Sequence, residues 1–365
     1  MKYRISVLAL VLVALVSPQL SAWGESTPPY PIVDSGVWAT NGYPGDLYWL
    51  DNERVLFLGS ETSKPIGQDD QWLLIWDTEK NSVTKYKQHV MNFCYRNGII
   101  LYRVVARQSD SGKRTWTFYR GKLNDEVIDQ TPDRKEDKLN CHYISVWPKF
   151  PQGKAQTILR EQDGYLVRDE TTANVKFENY PLLYYKSETK EIVPLPFRRY
   201  EADRVNYYPF RQAYFLYPAS YFTQGTHLTP WPQNVPLYIW WLFPDGKIDK
   251  IEIPLGEWAR GGLTFYPMLE GIFVVNRHSR SYRDPGNAGG YLVQGTAVKK
   301  LVSGVLTDAS AVSPDGCRIA FSHAPSQDAD RFDAKNRRRL KMIDVCDGER
   351  KAEAERAGII ERMVA

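Results

Sequence analysis

The chain has 365 residues, of which 43% are hydrophobic and 25% are charged, a balance that excludes a wholly disordered protein. A net charge of +4 is too small to predict nucleic acid as a partner, and only 5 histidines and 4 cysteines argue against a zinc cluster. The 23 tyrosines, 25 glycines and 23 prolines favour strands and turns over helical bundles.

The first residues have the order of a secretory signal peptide. Lys2 and Arg4 precede an apolar run at residues 5–16, and the small residues Ser21 and Ala22 follow it. The run is shorter than the roughly 20 residues that span a bilayer. We therefore predict a signal peptide at 1–22, a mature chain without a transmembrane segment, and a periplasmic or secreted location. A retained N-terminal anchor is the alternative.

Two kinds of hairpin alternate along the rest of the chain. The first has a tight turn followed by a compact apolar strand, with turns at 51–54, 96–98, 162–164, 210–212, 269–271 and 313–316. The second joins an apolar strand to another strand through a polar turn, at 72–86, 115–129, 182–195, 237–253, 290–304 and, incompletely, 339–348. Two hairpins make four antiparallel strands. We therefore predict an all-β fold, with residues 23–348 forming a six-bladed β-propeller of four-stranded antiparallel blades.

One blade carries a more specific motif. Residues 311–322, AVSPDGCRIAFS, resemble the strand–turn–strand motif of the TolB-like and WD-repeat-like periplasmic β-propellers, and residues 47–58, LYWLDNERVLFL, are a looser copy. The resemblance implies a propeller fold. It also implies a role as an interaction platform, which most members have, although the same fold carries lyases and hydrolases.

The last unit lacks its outermost strand, because residues 349–365 have a helical pattern and form a helical or disordered tail. Residues 32–40 have the length and composition of the missing strand, so we predict that an N-terminal strand closes the propeller. The alternative is that residues 23–40 are an extended lead without a fixed partner.

The even number of cysteines predicts disulfides in an exported chain. Cys317 begins the second strand of the last blade and Cys346 ends its third, so antiparallel pairing places them side by side. Cys94 and Cys141 then pair by elimination. Without a C-x-x-C spacing, both bonds are expected to be structural.

The loops differ in length between the two faces of the predicted propeller. The first and third turns of each blade are short and define the short-turn face. The middle loops are long and define the long-loop face, where we expect the binding site. These loops span 59–71, 106–114, 169–181, 218–236, 276–289 and 323–338.

Arginine and aromatic side chains in these loops suit anionic, sugar or peptide ligands. The candidate binding residues are Arg114, Tyr221, His227, Trp231, Arg277, His278, Arg280, Tyr282, Arg283 and Arg337, and the basic run continues to Arg338 and Arg339. We predict a protein or an anionic envelope glycan as the partner. Acidic residues such as Asp69 and Asp110 in the same loops leave open a solvated surface of mixed charge.

Catalytic motifs of the common kinds are missing from the sequence. It contains no G-x-S-x-G, H-E-x-x-H, P-loop or dinucleotide-binding pattern, so we predict a non-catalytic scaffold without cofactor or metal. The alternative is a secreted carbohydrate-active lyase or hydrolase, with His278 as general base or with His227, His278 and His323, from three middle loops, holding a metal. A third hypothesis is a structural subunit that makes contact through its tail. The sequence leaves the oligomeric state open.

Overall fold

The computed structural model describes only part of the chain, which divides into two compact units, Met1–Pro31 and Ile32–Ala365. The described residues are 30–39, 47–61, 71–96, 98–108, 114–128, 156–161, 164–168, 181–186, 189, 191–198, 202, 204–218, 236–259, 262–277, 285–324 and 338–346. The predicted signal peptide and C-terminal tail lie outside them. Within these ranges the regular structure is β-strand, with short 3₁₀ turns at Pro209–Arg211, Glu257–Ala259 and Pro285–Asn287 and no α-helix. None of the described helical segments is long and apolar enough to cross a membrane.

Consecutive strands pair antiparallel in groups of four, as the alternating hairpins predict. The second sheet contains β6 (Val90–Arg96), β7 (Ile99–Gln108), β8 (Arg114–Lys122) and β9 (Asp125–Ile128). The third contains β10 (Gln156–Glu161), β11 (Gly164–Arg168), β12 (Pro181–Lys186) and β13 (Ile192–Arg198). The fourth contains β14 (Arg204–Tyr208), β15 (Ala213–Tyr217), β16 (Leu237–Leu242) and β17 (Ile248–Ile253). The fifth contains β18 (Gly262–Met268), β19 (Gly271–Arg277), β20 (Gly289–Gln294) and β21 (Ala297–Ser303).

The remaining strands form one eight-stranded sheet rather than two separate blades. Its first set contains β2 (Leu47–Trp49), β3 (Arg54–Ser60), β4 (Trp72–Asp77) and β5 (Ser82–Gln88). Its last set contains β22 (Val305–Val312), β23 (Arg318–Ala324), β24 (Arg338–Asp344) and the N-terminal strand β1 (Ile32–Ala39).

Strand β1 joins the last set to the first. It pairs antiparallel with β24, with Val33 opposite Met342, so the predicted N-terminal strand does complete the last set. It also pairs with β3, where Ala39 lies opposite Gly59, and this second pairing differs from the separate blades expected. Gly59 permits it, because a Cβ there would lie 2.8 Å from the Trp38 carbonyl oxygen.

The core lies between neighbouring sheets, so the middle strands are buried on both faces. β15 (AYFLY) and β23 (RIAFSHA) are buried along their whole length, which explains the apolar run of β15 and means that the polar side chains of β23 are buried too. Trp76 and Phe57 of the first set share a cluster with Met342 of the last set. Further clusters join the first set to the second sheet, the third sheet to the fourth, and the fourth to the fifth.

The predicted disulfide between Cys317 and Cys346 is confirmed, with the two Cα atoms 5.2 Å apart. It ties the start of β23 to the end of β24. Cys94 is also disulfide-bonded. Its predicted partner, Cys141, lies outside the described residues, so the second pairing stays a prediction.

Candidate functional site

Short turns of different sheets meet on one face of the described structure. The Leu269 amide, in the β18–β19 turn, donates to the Gly316 carbonyl oxygen, in the β22–β23 turn, over 2.8 Å. The Asp315 amide donates to Oδ1 of Asn52, in the β2–β3 turn, over 3.0 Å. Turns from the fifth sheet and from the last and first sets therefore share the short-turn face. Because consecutive strands run in opposite directions, the strand ends that lead into the long loops lie on the face opposite the short-turn face.

Buried polar groups on the short-turn face find partners within the protein. Arg318 has a side chain only 3% exposed, and it pairs with Asp344 at 3.0 Å and with Glu79. Burial lowers the pKa of this guanidinium, but the hydrogen bonds to the two carboxylates raise it further, so the pKa is raised overall. The Ser313 hydroxyl accepts from the Arg318 amide over 2.8 Å. This network joins the last set to the first, which is a structural role.

Phe210 packs against the turns at the same face. Its ring atoms lie 2.8–2.9 Å from where a Cβ on Gly316 would stand, and its ring also contacts Trp241 and Tyr208. Gly316 has a φ of +76°, a conformation that favours glycine. Glycine is therefore required at this SPDG turn both for its backbone and for the close approach of Phe210.

His323 lies in a strand, which corrects the prediction that it belongs to a long loop. It is the second-last residue of β23 and is only 5% exposed. Its Nε2 is 2.8 Å from the Ser303 carbonyl oxygen, which can only accept, so Nε2 carries the proton. Burial lowers the pKa of His323 and keeps the ring neutral. Its Nδ1 is buried and has no hydrogen-bond partner among the described residues.

Asn276 is a second buried polar residue that lies in a strand, which corrects the prediction that it begins the long loop 276–289. It is the second-last residue of β19, is 1% exposed, and donates from Nδ2 to the Trp258 carbonyl oxygen. Its Oδ1 is buried without a partner in the described part of the chain. An asparagine after four apolar residues (IFVVN) was the only sequence signal for it.

Arg338 and Arg339 do not belong to an exposed basic run. Both are in β24, and Arg338 is only 3% exposed. Arg339 pairs with Asp34 of β1 at 3.0 Å, and its guanidinium lies over the Trp38 ring. These cross-strand contacts fix β1 to β24, which the sequence could not reveal because the partners are 305 residues apart.

The predicted binding residues lie mostly outside the part of the chain that the structure describes. Arg114 begins β8 and Arg277 ends β19, both at strand ends that lead into long loops, and only their backbone is described. Tyr221, His227, Trp231, His278, Arg280, Tyr282, Arg283 and Arg337 lie outside the described residues. Whether these ten residues form one site therefore stays a prediction. Among the residues with a described position, no three His, Cys, Asp or Glu side chains are grouped to hold a metal ion.

Comparisons with known proteins give only distant structural likenesses. No family model and no curated protein matches the chain. A luciferin-regenerating enzyme matches 86% of this chain and 95% of its own, at 8% identity and a TM-score of 0.40. A putative gluconolactonase matches 87% and 93%, at 10% identity and a TM-score of 0.36. The β-propeller domain of the Trilobed protease from Pyrococcus furiosus matches 70% and 66%, at 16% identity and a TM-score of 0.24. Likenesses this weak assign no activity or ligand, and the resemblance to TolB-like propellers rests on the sequence motif alone.

Proposed function

We propose that the chain is an exported, non-catalytic, six-bladed β-propeller that binds a protein or an anionic envelope glycan on its long-loop face. Support for the architecture comes from the strand order. Each four-stranded group is antiparallel and consecutive, except that β1 supplies the fourth strand of the last set. An N-terminal strand in the last blade would give that blade four strands like the others and would connect it to the start of the ring.

The observation that carries the binding face is a contrast between the two ends of the strands. The short-turn face holds Arg318 in a complete set of ion pairs and hydrogen bonds. Towards the long loops, Asn276 Oδ1 and His323 Nδ1 are buried acceptors without a described partner. Native proteins leave few such groups unsatisfied, and those they leave often serve function. The long-loop end is therefore the face we assign to a ligand.

Charge reversal on the two faces tests this assignment. Arg277→Glu/Arg280→Glu changes two predicted binding residues on the long-loop face. Lys247→Glu is the matched control, since this lysine is 63% exposed in the short β16–β17 turn. In pull-downs from envelope extracts, the double variant is expected to lose the parent's partner while the control retains it. Equal retention by both variants would place binding elsewhere.

Export has its own test. Expressed in a bacterial host with its first 22 residues, the protein is expected in the periplasm or medium, with Trp23 as its N-terminus. Intact mass and N-terminal sequencing would determine where the chain is cleaved. A full-length chain retained in the membrane would instead support the N-terminal anchor.

His323 favours one rival function, a secreted carbohydrate-active lyase or hydrolase. His323 donates one ring N–H to a backbone carbonyl, and its other ring nitrogen has no hydrogen-bond partner among the described residues. Histidines that ligate metals commonly have this arrangement. Elemental analysis of protein purified without chelators or a histidine tag distinguishes the two. Stoichiometric metal that is lost when His227, His278 and His323 are replaced by alanine would favour the enzyme hypothesis over the non-catalytic scaffold.

A further inference from the structure

A cleft on the short-turn face lies between the fourth and fifth sheets, away from the proposed binding face. Its volume is about 260 Å³. Arg211 and Trp241 line it from the fourth sheet, and the β18–β19 and β20–β21 turns line it from the fifth. Leu269, Gly271, Gln294 and Gly295 are among the residues of these turns that line it.

The size and chemistry of the cleft suit a few apolar side chains rather than a free small molecule. Small-molecule pockets usually measure about 300–1,000 Å³, so this one is below that range. Ile251, Ile272 and Val293 make its lining largely apolar. Arg211 supplies a cation, with its guanidinium 5.1 Å from the centre of the Trp241 ring. An amphipathic segment that carries an acidic residue beside its apolar side chains would complement the cleft.

The described chain ends beside this cleft. Cys346 is bonded to Cys317, and the residue before Cys317, Gly316, accepts a hydrogen bond from the amide of Leu269 in the cleft wall. The sequence after Cys346 therefore leaves from the short-turn face. At up to about 3.3–3.6 Å per extended residue, residues 347–358 are long enough to let residues 359–364 reach the cleft.

The sequence after residue 346 has the pattern that the cleft requires. Ile359 and Met363 are four residues apart, as are Ile360 and Val364, so a helix would carry all four on one face. Glu361 borders this apolar face and matches the charge of Arg211 in the cleft. We propose that residues 359–364 of the same chain dock in this cleft, covering it and leaving the long-loop face free for ligand.

Photo-crosslinking on the full-length protein tests the proposal. A benzophenone amino acid at Ile360 is expected to cross-link within the same chain to peptides containing 268–272 or 293–295. The same probe at Glu353, outside the apolar set, is expected to give far less of this product. Cross-links from position 360 to other parts of the same chain would overturn the proposal. Cross-links to a second copy that increase with protein concentration would also overturn it, and so would cross-links to a different protein alone.

Hydrogen exchange gives a second readout that leaves the propeller intact. Ile360→Asp/Met363→Asp is expected to raise exchange in peptides covering 268–272 and 293–295 by about tenfold, because the docked segment no longer protects these turns. Glu353→Gln serves as control and is expected to leave their exchange as in the parent. Unchanged exchange in the double variant would show that residues 359–364 do not cover the cleft. Pull-downs on the long-loop face are independent of either result.

Discussion

Arg318 Nη1 donates a hydrogen bond to the backbone carbonyl oxygen of Asn52 over 2.8 Å, although the two residues are 266 positions apart. Arg318 is in the last set of strands and Asn52 is in the first tight turn of the chain. The guanidinium also pairs with Glu79 in the β4–β5 turn. Together with β1, this buried arginine connects the two ends of the folded chain on the short-turn face.

Replacing this arginine should cost far more stability than replacing an exposed one. We expect Arg318→Met to lower the free energy of unfolding by about 2–3 kcal/mol, because charge-assisted hydrogen bonds are lost while the partly exposed carboxylates regain water. Arg54→Met is the control, since its pair with Asp51 has side chains 50% and 41% exposed and should contribute under about 1 kcal/mol. Urea unfolding measures both. Equal losses would mean that the network does not join the two ends.

The tight contact at Gly316 predicts a difference between two glycines of the same conformation. Gly316 and Gly98 both have a φ of +76°, but only a Cβ at Gly316 would meet Phe210, and nothing lies within 4 Å at Gly98. Gly98→Ala should cost about 1–2 kcal/mol from backbone strain alone. Gly316→Ala should cost a further 1–3 kcal/mol or so from overpacking, part of which Phe210→Ala would restore. Thermal unfolding of the single and double variants would reveal whether the penalty depends on Phe210.

His323 should make stability fall in mild acid. Burial lowers its pKa, with Lys341 acting in the same direction and the Ser303 carbonyl and Asp34 opposing it. The unfolded chain then takes up a proton near pH 6.5 while the folded chain stays neutral, so the free energy of unfolding decreases as the pH falls below about 6.5 and down to the folded pKa. The slope can reach about 1.4 kcal/mol per pH unit. His323→Gln keeps a hydrogen-bond donor for the Ser303 carbonyl and should remove this loss of stability in acid. If the free energy of unfolding falls equally with pH in the parent and the variant, His323 is not the cause.

The Cys317–Cys346 disulfide should contribute to stability by restricting the unfolded chain. For a sequence separation of 29, the loop-entropy relation predicts about 3–4 kcal/mol. Cys317→Ala/Cys346→Ala should lose this amount in chemical unfolding under oxidising conditions. Under full reduction, which also breaks the Cys94 disulfide in both proteins, the parent and the variant should have the same free energy of unfolding. A variant as stable as the oxidised parent would mean that β23 and β24 need no covalent link.

Local sequence signals predicted most of the strand order. The tight turns each separate the first two strands of their group, and all of them except FRQ at 210–212 carry residues with a physical preference for turns. Residues 32–40 have the length and composition of a strand, and the incomplete last unit supplied its partner. The additional pairing of β1 with β3 could not be foreseen, because it depends on how closely Trp38 can approach Gly59.

Side-chain positions near the long loops were harder to predict. His323 follows an apolar strand, and the sequence does not say whether that strand ends before it or after it. His323 is buried like the rest of β23, and its ring donates to the carbonyl oxygen of Ser303 in the fifth sheet. The sequence likewise suggested a loop for Arg339. The residue lies in β24, and its guanidinium donates to the Asp34 carboxylate in the neighbouring strand β1. Such pairings arise from packing between distant segments, which local periodicity does not encode.

Strand β1 is the fourth strand of the last set and also pairs with β3 of the first set, so it joins these two sets of strands. Native-state hydrogen exchange of the mature protein, read residue by residue across β1 and β24, tests this role most directly. We predict that paired amides of both strands exchange together and only through global unfolding. Fast exchange throughout β1 beside a protected β24 would contradict this role and leave the last set with three strands.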